Sequence, residues 1–491
     1  VSSARLPLIA IALLLGGCVS AGPVRAPKTA LPAGFEGATG TLAPAAIDRW
    51  WEVFDDAQLS ALIDRALTRS TDAREAQARL AEARAIRRGA LTGFGPQGNL
   101  SASGRGDQNE ILRQNDIDFG GGAGGGANGD ESLNPFAQGG LIGNANVDFN
   151  VSWELDLFGR RGAARREADA TLAAARFDYE ASRASIAANV ADALFELRGL
   201  TAQLDDARET RRIRTQLRDL AAERARRGLA ADPEVARVDT ELAQAVADET
   251  QIAAERQAAQ RALLVLSGDA VAPTASLDPA ALLPPVPAAP QALPTELLAR
   301  RPDVRAAEAR LAAASGRLRL SELDFFPRFT LQPGVSLSAT SGSPFDATTL
   351  VWSLGAGLTV PILDRPRLIA ELRAQEARVD QAVTAYERAV QTAFSETDQM
   401  LVRLAADRNR IAELTTGEAA ARRAFAAAQT SYQRGLTSLA DLLEAESAFR
   451  AARTTLTAAR VQALRRAVQA FKAVGGGWTP PMTARASGSP E

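Results

Sequence analysis

Apolar and polar residues alternate one for one ahead of a long uniform stretch. Val147, Phe149, Val151, Trp153, Leu155 and Leu157 share one parity, while Asp148, Asn150, Ser152, Glu154 and Asp156 share the other. Successive strand side chains face opposite ways, so a strand at about 146–157 has one greasy face and one polar face. The period breaks at Phe158-Gly159-Arg160. From Arg160 to Arg227 there is no proline and only two glycines, Gly162 and Gly199, in a background of Ala, Arg, Leu and Glu. That composition predicts a single helix, about 100 Å long at 1.5 Å per residue. A globular core has no use for such a rod. A strand with a lipid-like face feeding it predicts a membrane anchor on a long projection.

The flanking pattern fills in the rest. Asp55 or Asp56 can cap a first helix, and Trp50, Trp51 and Phe54 just before it read as core or interface anchors. A second helix over about 72–91 stops at Phe94-Gly95-Pro96, and a strand follows at about 97–104. Residues 104–145 are polar and Gly-rich, which predicts a mobile surface loop. Its glycine runs lack the Gly-Lys-Ser/Thr and strand–helix setting of a phosphate loop. Gly228 ends the rod, and a helix resumes at Asp232-Pro233 and runs to about Leu266.

After a proline-rich connector the chain repeats itself. Asp303 begins a helix like the one at Asp72, 231 residues earlier, and the same offset relates Pro327 to Pro96 and Leu331 to Leu100. Further on, an offset of 207 relates Tyr386 to Tyr179, Gly435 to Gly228 and Gly475 to Gly268. The lost residues fall where the Gly-rich loop is replaced by the short 338–349 segment. Two more alternating stretches follow, at about 328–338 (Phe329, Leu331, Val335, Leu337) and 350–362 (Trp352, Leu354, Leu358, Val360, Ile362). The predicted organisation is a signal peptide over 1–17, a lipidated N-terminal tether over 18–48 whose Pro- and Gly-containing stretch 21–42 reads as flexible, and a first repeat over 49–270. A connector over 271–295, a second repeat over 296–475 and a tail over 476–491 complete it.

Each predicted strand has about the length of a tilted membrane strand, and alternating faces mark an outer-membrane barrel. Unpaired backbone cannot face lipid. Four strands are too few to close, since the smallest barrels have about eight. Two chains would give eight strands and a filled interior; three would give twelve, and a duct favours three. In the second rod Val379, Val383, Tyr386, Val390, Ala393, Thr397, Leu401 and Leu404 are spaced by threes and fours, a narrow coiled-coil seam. The fold class expected is therefore a membrane β-barrel joined to a long α-helical coiled-coil barrel. Each internally duplicated chain supplies four strands and four helical columns, and closure comes only in a trimer.

Composition narrows the chemistry. The chain has 491 residues, is 46% hydrophobic and carries a formal charge of -2, which gives no electrostatic case for nucleic acid. It has no histidine, which excludes histidine acid–base catalysis and histidine metal ligation. No nucleophile motif is present, so no enzyme, cofactor or metal is expected. Arg5, the apolar run Leu6 to Leu15 and the single cysteine, Cys18, form a secretory signal with a lipobox-like Leu15-Gly16-Gly17-Cys18. Ten apolar residues are too few to span a bilayer. Cys18 is the expected site of lipidation, including palmitate, and Val19 after it favours outer-membrane sorting.

The stretches Trp51-Glu52-Val53-Phe54-Asp55, Ser152 to Arg160, Leu298 to Val304 with Ala307-Glu308, Phe325-Phe326-Pro327, Tyr432 to Leu436, Leu442 to Ala445 and Gly475 to Trp478 resemble the TolC-like outer membrane factors, specifically the lipoprotein, NodT-type branch of resistance–nodulation–division efflux systems. The resemblance implies a homotrimer in outer-membrane lipid, projecting into the periplasm. It implies a passive exit duct for drugs or other small molecules, docked on an inner-membrane pump through a periplasmic adaptor. The tips it implies are Gly228-Leu229 and Gly435-Leu436, where glycine gives the reversal and leucine an apolar adaptor contact. Asp441 and Glu444, three apart on a helix, are the candidate periplasmic gate; the family usually has aspartate where Glu444 stands. The alternatives are the channel of a type I protein secretion system and a non-conducting coiled-coil lipoprotein.

Overall fold

The computed structural model describes residues 22–37, 49–108, 141–227, 232–277, 282–290, 293–341 and 346–476. Its elements are, in order, a 3-10 turn (Trp50–Phe54), α1 (Ala57–Arg69), α2 (Thr71–Thr92), β1 (Gln97–Gln108), β2 (Leu141–Leu155), α3 (Arg160–Arg226), α4 (Asp232–Leu266), α5 (Glu296–Arg300), α6 (Pro302–Leu323), β3 (Arg328–Ser341), β4 (Ala347–Thr359), α7 (Arg365–Gln433) and α8 (Leu439–Ala473). None of the described helices is long and apolar enough to cross a membrane. The chain divides into two compact units, one holding residues 85–169 and 313–379, the other 24–84, 170–312 and 380–476.

The first unit is built on one antiparallel sheet in the order β1-β2-β3-β4. Its register sorts the two faces. Phe149 lies opposite Leu100 and Val335, and Val335 opposite Trp352. On the other parity Asp148 lies opposite Ser101 and Ser336, and Ser336 donates to the Asp148 carboxylate at 2.6 Å. The apolar face is left bare: Trp352 is 76% exposed, Leu354 75% and Leu100 71%. The β2–β3 ladder is interrupted where Val151 and Ser152 face Pro333 and Gln332, because proline has no N–H to give. Among the described residues β1 pairs only with β2 and β4 only with β3, so both sheet edges are open.

The structure corrects the Gly-rich loop expected over 104–145. Gly104 and Gly106 are strand residues paired with Ala145 and Gly143. Composition alone reads such residues as mobile, but a neighbouring strand satisfies their backbone whatever their side chains. Residues 109–140 lie outside the described residues.

The second unit is a helical bundle. The side chain of Asp56 caps α1 by accepting from the Leu59 amide at 3.0 Å. Arg198 of α3, itself buried, donates to Asp56 and Gln58 and fixes this corner. Trp50, Trp51 and Phe54 are core residues, and Trp50 stacks on Phe471 at 6.1 Å. The coiled-coil seam of α7 is buried where described within this unit: Val383, Val390, Ala393, Thr397, Leu401 and Leu404. Tyr386 is only partly buried against it. Thr397 sits on the seam at no cost because its hydroxyl donates to the carbonyls of Ala393 and Ala473.

The duplication is visible in three dimensions. An offset of 231 carries Thr71–Thr92 onto Pro302–Leu323, and one of 207 carries Asp232–Leu266 onto Leu439–Ala473. Both α4 and α8 end on a left-handed glycine, Gly268 (φ +84) and Gly475 (φ +83). Both glycines press on an arginine backbone: a Cβ would fall 2.7 Å from the Arg69 carbonyl carbon at the first and 2.9 Å from Arg300 Cβ at the second. Those two arginines are themselves 231 residues apart.

The flexibility expected over 21–42 is also corrected where those residues are described. Residues 24–37 form an extended strap on α7. Arg25 pairs with Glu387 at 2.6 Å, the Lys28 amide donates to Glu387 at 2.8 Å, and the Glu36 amide donates to Asp398 at 2.8 Å. Phe35 stacks on Phe394 at 5.5 Å. Proline and glycine content reads as flexibility, but the carboxylates that order the strap lie more than 300 residues away in sequence. Residues 1–21, with Cys18, lie outside the described residues.

Candidate functional site at the coiled-coil turn

Helix α7 ends in a Schellman turn. The Gly435 amide donates to the Tyr432 carbonyl at 3.0 Å and the Leu436 amide to the Ser431 carbonyl at 2.9 Å, with Gly435 at φ +72. A Cβ at Gly435 would meet nothing within 4 Å, so the glycine is there for its conformation and not for space. In such turns the residue after the glycine commonly packs back on the helix. Leu436 does not: it is 75% exposed. The equivalent turn, Gly228 and Leu229, lies outside the described residues.

The next helix is capped at once. Ser438 accepts from the Asp441 amide at 3.2 Å, and Asp441 accepts in return from the Ser438 amide and hydroxyl and from the Thr437 hydroxyl at 3.1, 2.7 and 2.9 Å. This capping box commits the Asp441 carboxylate to the turn. The Ser438 and Thr437 hydroxyls and the Ser438 amide hold it below its ordinary range. Glu444, three residues on, is exposed and has no ion pair among the described residues. The two candidate gate carboxylates are therefore in different situations: one is a structural cap and one is free.

Behind the turn four helices converge. Leu217 and Ala221 of α3, Val238 of α4, Tyr432 of α7, and Leu439, Leu442 and Leu443 of α8 form a closed apolar cluster. Arg224 lies over the Tyr432 ring at 5.6 Å and donates to its hydroxyl at 3.2 Å. Next to this cluster is a buried charge triad. Arg214 of α3, 5% exposed, donates to Glu446 of α8, 2% exposed, at 2.6 Å and also pairs with Glu241 of α4. Glu241 is shared with Arg237 at 3.3 Å. The Arg214 Nε is buried with no hydrogen-bond partner. Further along, burial pushes the Asp206 carboxyl up, and Arg453, 2.5 Å away, pulls only part of the way back.

No local motif marks this triad. The available signal is a charge where the apolar spacing calls for a hydrophobic residue. Leu439, Leu442, Leu443 and Glu446 step by i, i+3, i+4 and i+7, and Thr210, Arg214, Leu217 and Ala221 step by fours and threes. A second such charge is Arg301, which donates to the Ala393 and Ala473 carbonyls at 3.4 and 3.1 Å and to Asp303 at 2.6 Å. Burial would raise the Asp303 carboxyl, but the Arg301 hydrogen bond and charge outweigh it and hold it low. The described side chains thus form wall, turn and cap.

The comparisons agree with this architecture. A profile of the family described as outer membrane efflux protein matches residues 62–269 and 293–476. The pyoverdine export outer membrane protein OpmQ of Pseudomonas aeruginosa is 30% identical over 486 residues, covering 97% of this chain and 98% of that protein. The cation efflux system protein CusC of Escherichia coli O6:H1 is 29% identical, covering 97% of this chain and 99% of its own. Among solved structures, the outer-membrane channel OprN superposes with a TM-score of 0.76 at 27% identity, over 94% of this chain and 100% of that one. With its open, lipid-like sheet, its duplicated helical columns and these relatives, the chain belongs to the outer membrane efflux protein family as an outer-membrane efflux channel.

Proposed function

We propose that three copies of this chain close into the passive exit duct of a tripartite efflux assembly, lipid-anchored at Cys18 and engaged at its periplasmic end by an adaptor and an inner-membrane pump. The observation that carries this reading is the four-stranded sheet with two unpaired edges and a bare apolar face. An open edge cannot remain in a bilayer. Edge-to-edge pairing of three copies gives twelve strands, enough for a channel, whereas two give a filled eight-stranded barrel. The polar face with Asp148 and Asn150 then lines the lumen. Leu436, solvent-exposed on a rigid turn, is the adaptor contact, with Leu229 its counterpart in the first repeat. Glu444, without an ion pair among the described residues, is the better of the two gate candidates. The duct has no part in cargo chemistry and needs no cofactor. Relatives whose names point to pyoverdine and to cations support a duct that leaves selection to the pump.

Planar-bilayer recording of purified protein tests the reading. It predicts stepwise conductance, raised by Glu444→Ala if that carboxylate narrows the tip. A preparation that inserts and never conducts would contradict it.

A further inference from the structure

We propose that the helix-proximal rim of the sheet is a collar for anionic phospholipid, where Arg161, Arg166 and Arg367 hold lipid phosphates beside an apolar belt of Leu157, Ile362 and Leu363. The proposal rests on the reading of the sheet as membrane-spanning and adds the lipid class that its inner boundary recognises.

The apolar belt continues the lipid-facing surface. Leu155 pairs with Phe329 and Phe329 with Leu358, so β2 and β4 end at the same rim. Leu157 lies two residues beyond the end of β2 and Ile362 three beyond the end of β4. All three belt residues stand in the open: Leu157 is 60% exposed, Ile362 59% and Leu363 93%. Bare leucines at the end of an apolar face mark where hydrocarbon gives way to headgroups.

The arginines begin where the belt stops. Neither α3 nor α7 carries an acid in its first turn, although the helix dipole favours acids there. Arginine stands there instead in both repeats, and Arg367 is the 207-offset counterpart of Arg160. Helical side chains lean toward the N-terminus, which for these two helices means toward the sheet. Arg166 does so, its Nη1 lying 3.7 Å from where a Cβ on Gly162 would be. Arg161 and Arg166 are exposed and have no ion pair among the described residues. Two of the carboxylates on these elements are engaged: Asp156 accepts from the Arg161 backbone amide at 3.2 Å, and Glu371 meets Arg367 at 3.3 Å while leaving the Arg367 side chain 65% exposed; Asp364, just ahead of α7, is the exposed acid of the rim. The exposed guanidinium groups of Arg161, Arg166 and Arg367 next to an apolar belt match a phosphate layer above acyl chains.

Tryptophan quenching tests this in reconstituted vesicles, with brominated phosphatidylglycerol competing against phosphatidylcholine. Trp153 and Trp352 on the apolar face are the reporters. The wild type should prefer phosphatidylglycerol, and each arginine changed in Arg161→Gln/Arg166→Gln/Arg367→Gln should lower that preference, by up to roughly fivefold per charge. Lysine at the same three positions should retain it. Should the glutamine variant fail to assemble, the wild type still decides: the preference should shrink as salt rises from about 0.05 to 0.5 M. Equal quenching by both lipids, or a preference unmoved by salt or by the substitutions, overturns the collar. Conductance of the same samples separates the two readings: a conducting channel without lipid preference removes only the collar, and a wild type that cannot conduct removes the duct as well.

Discussion

Changing Glu446 to alanine isolates the least expected feature of the site. Glu446 is 2% exposed and Arg214 5%, so the substitution strips a buried guanidinium of its most buried partner. Removing one member of a buried ion pair typically costs about 3–5 kcal/mol, because the other charge is left uncompensated. Arg214 retains Glu241, but that carboxylate is shared with Arg237 and its side chain is 25% exposed. The low end, about 3 kcal/mol, is therefore expected. Amide hydrogen exchange over residues 210–221 and 439–446 reads the loss locally, as a fall in protection of roughly 100-fold. The physical cause is checked by Arg214→Met/Glu446→Met, which replaces the pair by apolar volume and should be much milder than the sum of the two single changes. Protection within about threefold of wild type in Glu446→Ala, or additive losses in the double variant, would refute the reasoning.

Three other perturbations follow from the geometry. A Cβ at Gly199 would lie 2.5 Å from Val461 Cγ2, so Gly199→Ala should cost about 1–3 kcal/mol in thermal unfolding, and Val461→Ala should recover most of it. Asp441 is held below its ordinary range by the turn it caps. Its contribution is therefore complete above about pH 4 and is lost as pH falls through the lowered value. Protection at the start of α8, taken relative to the intrinsic exchange rate at each pH, should fall only in that acid range, and Asp441→Asn should abolish that change in protection. Leu436→Asp should leave assembly intact in detergent while abolishing complementation of a deletion strain; full resistance in that strain would count against an adaptor role for Leu436.

Much of the fold was legible because period and capping are local properties. The alternation at Val147 to Leu155, the seam from Val383 to Leu404 and the cap at Asp56 each depend on neighbours a few residues away. The repeat was legible for a related reason: Gly268 and Gly475 are both required by a close approach of backbone, and such positions admit no substitute. What escaped depends on partners far along the chain. Arg214 needs Glu446 from α8 and Glu241 from α4. The strap at 24–37 needs Glu387 and Asp398. The glycines at 104 and 106 became strand only because β2 lies beside them. Asp441 and Glu444 share a helix face by spacing, but only the structure distinguishes a carboxylate committed to capping from one left free.

The central claim is that the sheet closes only through neighbouring copies. Cysteine pairs stepped along β1 (97–108) and β4 (347–359), oxidised in the membrane, measure that closure directly. One register of pairs should cross-link between chains and give a ladder that ends at three. Bridges formed only within a single chain, or a ladder that ends at two or runs beyond three, would contradict it.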